Sequence, residues 1–303
     1  MNPTVKAPAL GIDLGGSSVK FAWFDAHGAC VSTGTRPFDA SNPMEWIDRI
    51  CELVAEIPSG LDALQLRVGV SAPGLAAPDG RRIASMPGRL AGLVGLDWTE
   101  ALGARASVPV LNDAHAALLG ECWRGAGRGK RNLVLLTLGT GVGGAVMVDG
   151  RLLKGRQGKA GHLGHVALEV DAAPDICGIP GSLEQQIGNC TIRERTQGRF
   201  ETTHQLMEES AAGDAEARAI WMRSIHYLAC AVASFINVAD PERVIVGGGI
   251  ARAGELLFGP LRERVRAMEW IPLGDGAEIV PAELGEYAGA CGAAWNALGG
   301  GVG

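Results

Sequence analysis

The chain has 303 residues, 47% hydrophobic and 20% charged, with a formal net charge of −6. That composition suits a globular protein, and the length exceeds what one undivided hydrophobic core usually serves, so two lobes are expected. The basic residues are scattered, with only Arg124, Arg128, Lys130 and Arg131 close together in what reads as a solvated loop, which argues against a nucleic-acid-binding face.

In chain order, an apolar strand ends at Asp13, a second runs over residues 19–24 and a third over 29–34, the last two joined by Asp25-Ala26-His27-Gly28. This is a hairpin meander whose first turn is a glycine loop. Residues 41–56 place Met44, Ile47, Ile50, Cys51 and Val54 on one helical face, with Ser41 as N-cap and Pro43 in the first turn. Strands at 66–70 and 108–111 follow, the second leading into a helix at 114–123. The opening pattern then recurs: a strand at 132–138, a glycine loop, a partner strand at 145–148, the turn Asp149-Gly150 and a strand at 151–153. Later helices are expected at 215–237, 253–267 and 285–298, with strands at 244–246 and 278–280 between them. A strand, loop, strand, turn, strand unit that occurs twice reads as a duplicated α/β fold with two facing lobes.

No apolar stretch is read as long enough to span a bilayer, and the first six residues lack the apolar centre of a signal peptide, so a cytoplasmic protein with no membrane partner is expected. The seven cysteines are dispersed, with no CxxC pair, and most are expected to be small buried hydrophobes.

Three glycine-rich turns each cap an apolar run. In the first, Asp13 precedes Gly15, Gly16, Ser17 and Ser18. Glycines let successive N–H groups converge on a phosphate and hydroxyls add donors, while an aspartate there would act through Mg²⁺ or its waters. A tight hairpin capped by the aspartate accounts for the same residues. The second turn, from Thr137 through Gly139, Thr140 and Gly141 to Gly144, holds four glycines and two threonines in eight residues, more than a hairpin needs. Thr140 and Gly141 are its best candidates for nucleotide phosphate contacts. The third, Gly247-Gly248-Gly249, opens a helical segment whose N–H groups would face a ligand. No Walker lysine pattern occurs, which argues against a P-loop fold. Asn112-Asp113 ends a strand between the first two loops. Asp113 suits proton abstraction from a hydroxyl that attacks a phosphoryl group, and Asn112 suits a neighbouring hydroxyl; the pair equally suits a helix N-cap, and both roles are compatible.

These motifs resemble the ROK family, sugar kinases and repressors of the actin/hsp70/hexokinase superfamily. The resemblance runs from Leu10 to Leu298 and rests on residues 11–17, Pro73-Gly74, Asn112-Asp113-Ala114, residues 138–144, Gly164-His165, residues 177–184 and Gly247-Gly248-Gly249. It implies a two-lobed actin-like ATPase (ribonuclease H-like) fold, with a mixed sheet and flanking helices in each lobe and a cleft between them. The N-terminal lobe would be 1–113 joined by the final helix 285–303, and the C-terminal lobe 114–284. It implies phosphoryl transfer from Mg·ATP to a glucose-like hexose, at the 6-hydroxyl. Asp113 would be the general base, and Asn112, His165 and Glu184 would bind sugar hydroxyls, with Gly88 and Arg89 in the sugar-side loop. Asp13, Gly15, Gly16, Ser17 and Ser18, with Thr137, Gly139, Thr140 and Gly141, would hold the ATP phosphates, Mg²⁺ lying near Asp13. Gly248 and Gly249 would lie against the adenosine. A homodimer is expected.

Two departures stand out. His162 replaces a glutamate that ordinarily accepts hydrogen bonds from the sugar, and an imidazole offers at most one acceptor, so sugar preference is open. Family members often bind structural zinc with one histidine and a CxCGxxGC pattern; here the cysteine positions read Asp175, Cys177 and Ser182, leaving His165 and Cys177 as remnants. Zinc is expected to be absent, with packing and hydrogen bonds holding this loop. The first glycine loop begins near residue 10, which disfavours the DNA-binding branch. Two rival readings are a polyphosphate-using glucokinase, since Gly15 to Lys20 also resembles the first loop of that group, and a sugar-sensing protein without catalysis, suggested by His162.

Overall fold

The computed structural model describes residues 7–86 and 90–300. The chain opens with β1 (Ala9–Leu14), β2 (Ser18–Phe24) and β3 (Cys30–Pro37), followed by α1 (Glu45–Ala55) and β4 (Arg67–Ala72). The short pair β5 (Leu75–Ala76) and β6 (Ile83–Ser85), then α2 (Trp98–Ala101), β7 (Val110–Asn112) and α3 (Asp113–Arg124) complete the first half. The second half holds β8 (Leu133–Leu138), β9 (Val142–Val148), β10 (Arg151–Leu152), α4 (Leu183–Ile187), α5 (Ile192–Arg195), α6 (Thr203–Ala212) and α7 (Ala215–Ala239). After these come β11 (Arg243–Gly247), α8 (Glu255–Met268), β12 (Glu278–Pro281) and finally α9 (Ala288–Ala297).

Two compact units result: Met1–Gly129 with Gly150–Ala160 and Glu283–Gly303, and Lys130–Asp149 with Gly161–Ala282. The sequence reading drew the dividing line after residue 113 and again at 285. The first unit keeps all of α3 because α3 packs on α9 and α9 on β1 and β4. Glycine makes that packing possible: a Cβ on Gly11 would overlap the Ala290 carbonyl, and one on Gly292 would overlap the Ala116 carbonyl. Along this approach α9 is therefore built of Ala, Gly and Cys from Ala288 to Ala294, all buried, ahead of Trp295 and Asn296.

The first unit's sheet has the order β3-β2-β1-β4-β7, and the second sheet repeats it as β10-β9-β8-β11-β12. In each, the first strand is antiparallel to its hairpin partner and parallel to the next strand inward, β4 or β11. Parallel strands covered on both faces read as continuous apolar runs, as β8 does in Leu-Val-Leu-Leu-Thr-Leu. Trp23, Trp46, Trp98, Leu10 and Ile12 centre the first core, and Trp221, Leu228, Val232, Val244 and Leu257 belong to the second.

Several sequence expectations are corrected. Helix α1 starts at Glu45, because Met44 before it is left-handed at φ 70° and no side chain caps the helix. The buried face is Trp46, Ile50 and Leu53, leaving Met44 and Cys51 exposed. Of the seven cysteines only Cys291 is buried, and none forms a disulfide; Cys30, for example, sits on β3, whose side chains are exposed along almost its whole length. Helix α7, at 25 residues and a mean hydropathy of 1.4 over its best window, is long and apolar enough to cross a membrane, against the expectation that no stretch would be. Its apolar stripe of Trp221, Ile225, Leu228, Val232 and Ile236 lies in the second unit's core. The helix expected from residue 253 begins at Glu255, because Gly254 adopts φ 56° and breaks the preceding turn.

Candidate active site

In the first unit the candidate groups gather at the carboxyl ends of parallel strands, where open α/β sheets bind their ligands. The register pairs Asp13 on β1 with Ser71 on β4, and Ser71 with Leu111 on β7, so Asn112 and Asp113 emerge beside them. The Ser71 hydroxyl donates to Asp13 Oδ1 at 2.6 Å. Burial pushes the Asp13 carboxyl up to about 6; the Ser71 hydrogen bond works against this, the Asp113 charge adds to it, and Lys20, directly across the hairpin, opposes it. A half-buried carboxylate whose ionised form is disfavoured by desolvation, with a second carboxylate acting on it, is chemistry that would fit Mg²⁺. The loop after Asp13 closes through Gly15 N–H to the Ser18 carbonyl at 2.9 Å, leaving Gly16 and Ser17 exposed.

Asn112 caps α3: its Oδ1 accepts from the Ala114 and His115 N–H groups, and its Nδ2 donates to the Gly74 carbonyl at 3.0 Å. One amide hydrogen remains for a ligand. Asp113 is the first residue of α3 and is exposed, and one of its oxygens accepts from the Ala114 N–H at 2.8 Å. Cap and carboxylate thus both act at this strand–helix junction. Gly88 and Arg89 lie outside the described residues.

In the second unit, Thr137 on β8 pairs with Gly247 on β11, so the loop at Gly139, Thr140 and Gly141 and the turn at Gly248-Gly249 share one sheet end. The loop is braced by the turn after α4: the Gly139 and Thr140 carbonyls accept from Asn189 and Cys190 N–H at 2.9 and 2.8 Å. Gly248, at φ 88°, sits so close to Leu138 that a Cβ would overlap its carbonyl. Gly248 and Gly249 are exposed.

Glu184, in the first turn of α4, accepts from the Val142 N–H at 2.9 Å, and a Cβ on Gly141 would overlap its carboxylate. The glycine loop and this acid are therefore fitted to each other. His162 precedes the short turn Leu163–His165 and is half-buried. His165 meets Asp175 through Nδ1 and Oδ2 at 2.7 Å. Asp175 Oδ1 also accepts from the Cys177 and Ile179 N–H groups at 2.8 and 3.0 Å. Burial alone would raise the Asp175 carboxyl, but His165, Ile179, Ser182 and Cys177 all hydrogen-bond it and hold it at about 2.

Among the described residues, His165, Asp175 and Cys177 form the only group of potential metal ligands within one ion's reach, their donor atoms lying within 4.8 Å of one another. A closed structural zinc site takes four nitrogen or thiolate ligands. Here the fourth position is Ser182, a hydroxyl, and the Asp175 carboxylate is already engaged by His165 Nδ1 and the Cys177 and Ile179 N–H groups. These residues do not fit structural zinc.

Two site neighbours escape sequence reasoning. Ser71 carries no motif, and only the strand register reveals it. His115 is buried, and its Nε2 meets the Ala160 carbonyl at 2.9 Å, fastening the 150–160 segment of the first unit to α3. Its position three residues beyond the capping Asn112 was the available signal.

The ROK family model matches residues 9–299. The glucokinase of Thermotoga maritima is 36% identical, the match covering 95% of this chain and 96% of that protein. The ROK hexokinase structure from Thermus thermophilus is 27% identical with a TM-score of 0.79, over 95% of this chain and 96% of that one. A ROK family glucokinase from Streptomyces griseus, in complex with glucose and AMPPNP, is 27% identical with a TM-score of 0.77, over 95% of this chain and 98% of that one.

Proposed function

This chain belongs to the ROK family, has the two-lobed actin-like ATPase (ribonuclease H-like) fold and is a carbohydrate kinase, and from that premise we propose that it transfers the terminal phosphoryl group of ATP to the 6-hydroxyl of a glucose-like hexose. The observation that carries the reading is the pairing, at one sheet end, of a half-buried Asp13, whose carboxyl desolvation raises to about 6, with an exposed Asp113 that accepts from the first turn of α3. Asp113 accepts the proton of the attacking hydroxyl. Asn112 offers its remaining amide hydrogen to a neighbouring hydroxyl, and His165 and Glu184 bind others. His162 supplies fewer acceptors than a glutamate and so tunes which sugar is preferred.

Backbone amides and hydroxyls of the loops at Gly15, Gly16, Ser17 and Ser18 and at Thr137, Gly139, Thr140 and Gly141 hold the donor's phosphates, and the open turn at Gly248 and Gly249 receives the adenosine. Asp13 would hold Mg²⁺, which on binding neutralises phosphate charge. The donor is assigned as ATP on the likeness to the glucokinase solved with AMPPNP.

The test is product release across glucose, mannose, fructose, allose, N-acetylglucosamine and N-acetylmannosamine, with ATP and with polyphosphate, wild type against Asp113→Asn. Turnover of glucose with ATP that the substitution lowers by about 10²- to 10⁴-fold is the expected result. Full turnover by Asp113→Asn would remove the base assignment, and polyphosphate as the better donor would remove the nucleotide.

A further inference from the structure

The loop that follows His165 departs from its family's metal-binding pattern, yet it is not loosely held. The Asp175 side chain is only 2% exposed, and both of its oxygens are engaged. Oδ2 faces His165 Nδ1, and Oδ1 takes the Cys177 and Ile179 N–H groups. The buried Ser182 hydroxyl is a further partner of Asp175. Ser182 is at the same time the N-cap of α4, in a capping box with Gln185. Two residues further along is Glu184, which holds the Val142 N–H.

A metal between His165 and Asp175 would stand about 2 Å from each donor atom, which in a tetrahedral site sets those atoms roughly 3.3 Å apart. They are 2.7 Å apart, the separation of a charge-assisted hydrogen bond. An ionised carboxylate only accepts, so the proton between them belongs to His165 Nδ1. That leaves Nε2 of the neutral ring as an acceptor, with the ring's orientation fixed.

We propose that Asp175 is a positioning residue that does the gathering a structural metal does elsewhere: its carboxylate fixes the tautomer and ring direction of His165 and, through Ser182, the helix start that carries Glu184. The site is then metal-free by construction, and one buried acid aligns two side chains toward the sugar. This rests on His165 and Glu184 being sugar-binding residues, as put forward above.

Three measurements test it on the full chain. Nitrogen-15 NMR of the imidazoles in wild type should show His165 as the Nδ1–H tautomer, and protein treated with a strong chelator and returned to Mg²⁺ should keep its melting temperature and its sugar KM. An Nε2–H tautomer, or one bound zinc per chain whose removal lowers the melting temperature, overturns the proposal. Asp175→Asn places an amide donor among the loop's own donors; the sugar KM should rise about 10- to 100-fold, the scale on which orienting partners act, while the KM for ATP stays put. An unchanged sugar KM in a folded Asp175→Asn protein sinks the positioning role. The double substitution Asp175→Cys with Ser182→Cys restores the CxCGxxGC pattern; it should take up one zinc per chain and recover a near-wild-type sugar KM that chelator abolishes. A double variant that recovers this KM without zinc would show that the loop needs no organiser and refute the proposal. His165→Ala is the control: if it leaves sugar KM unchanged, the assignment of His165 to the sugar has failed, which is distinguishable from failure of Asp175 to position it.

Discussion

The two units repeat one piece of backbone with different chemistry at its tip. Strands β1 and β8 have six residues each and their partners β2 and β9 seven each, joined in both cases by three residues, 15–17 and 139–141. The residue just before the last of the first strand is Asp13 in one unit and Thr137 in the other. The first tip is a bare turn next to a half-buried acid. The second carries no acid of its own, is braced from below by Asn189 and Cys190, and receives Glu184 from a helix. One scaffold thus presents an edge with its own aspartate, suited to a cation, and an edge whose own loop carries hydroxyls in place of an acid. An aspartate at position 137 would repel the phosphate oxygens to which this second edge is suited.

The largest expected effect breaks the acid-bearing edge. Asp113→Asn should lower kcat by about 10²- to 10⁴-fold, the range for a lost general base, with sugar KM little changed in steady-state assays. The next contrasts the two glycine loops. Gly141→Ala drives a methyl group into the Glu184 carboxylate, so sugar KM should rise, by up to about 100-fold for a misplaced contact of roughly 1 Å. Gly16→Ala meets nothing within 4 Å, so stability and sugar KM should hold, and nucleotide KM is the parameter expected to rise. Equal effects of the two on sugar KM would erase the distinction between the loops.

Asp13→Asn sharpens the electrostatic side. Desolvation raises the native carboxyl to about 6 from the ordinary 3.8, so the folded state holds the proton more tightly than the unfolded one. Stability therefore falls as pH rises through that window and stays lowered above it. Without nucleotide or Mg²⁺, Asp13→Asn should be more stable than wild type at pH 7.5, by at most about 3 kcal/mol, with no such gain at pH 3.5; denaturant titrations at both values decide it. The smallest effects compare two acids that hold backbone N–H groups. Glu121 is fully buried and takes the N–H groups of Ala126, Glu283 and Leu284; Glu242 is exposed and takes those of Arg131 and Asn132. Glu121→Gln should cost about 1.5–3 kcal/mol and Glu242→Gln under about 1 kcal/mol, because water replaces only the second.

Legibility varied with how local each signal is. The ends of β1, β7 and β8 were readable because an apolar run followed by Gly or Asn-Asp is a short-range pattern. The turn Asp149-Gly150 was readable too, and both residues have positive φ. The start of α1 was misread because Ser41 and Pro43 look like helix-entry residues, whereas Met44 is left-handed. Helices α4 and α6 went unread although Ser182 with Gln185 and Thr202 with Gln205 form capping boxes, since each helix is short and weakly patterned. The apolar length of α7 went unnoticed, and only its neighbours reveal which face is buried.

From its residues alone this chain declares a duplicated strand–loop–strand frame, three glycine turns and an Asn-Asp junction, because each depends on neighbours within a few positions. Tertiary structure alone decides that Ser71 bonds Asp13, that desolvation raises the Asp13 carboxyl, that Glu184 is seated against Gly141, and that Asp175 grips His165. Those outcomes depend on desolvation and on contacts between residues 10 to 58 positions apart in sequence, which folding creates and no local pattern encodes.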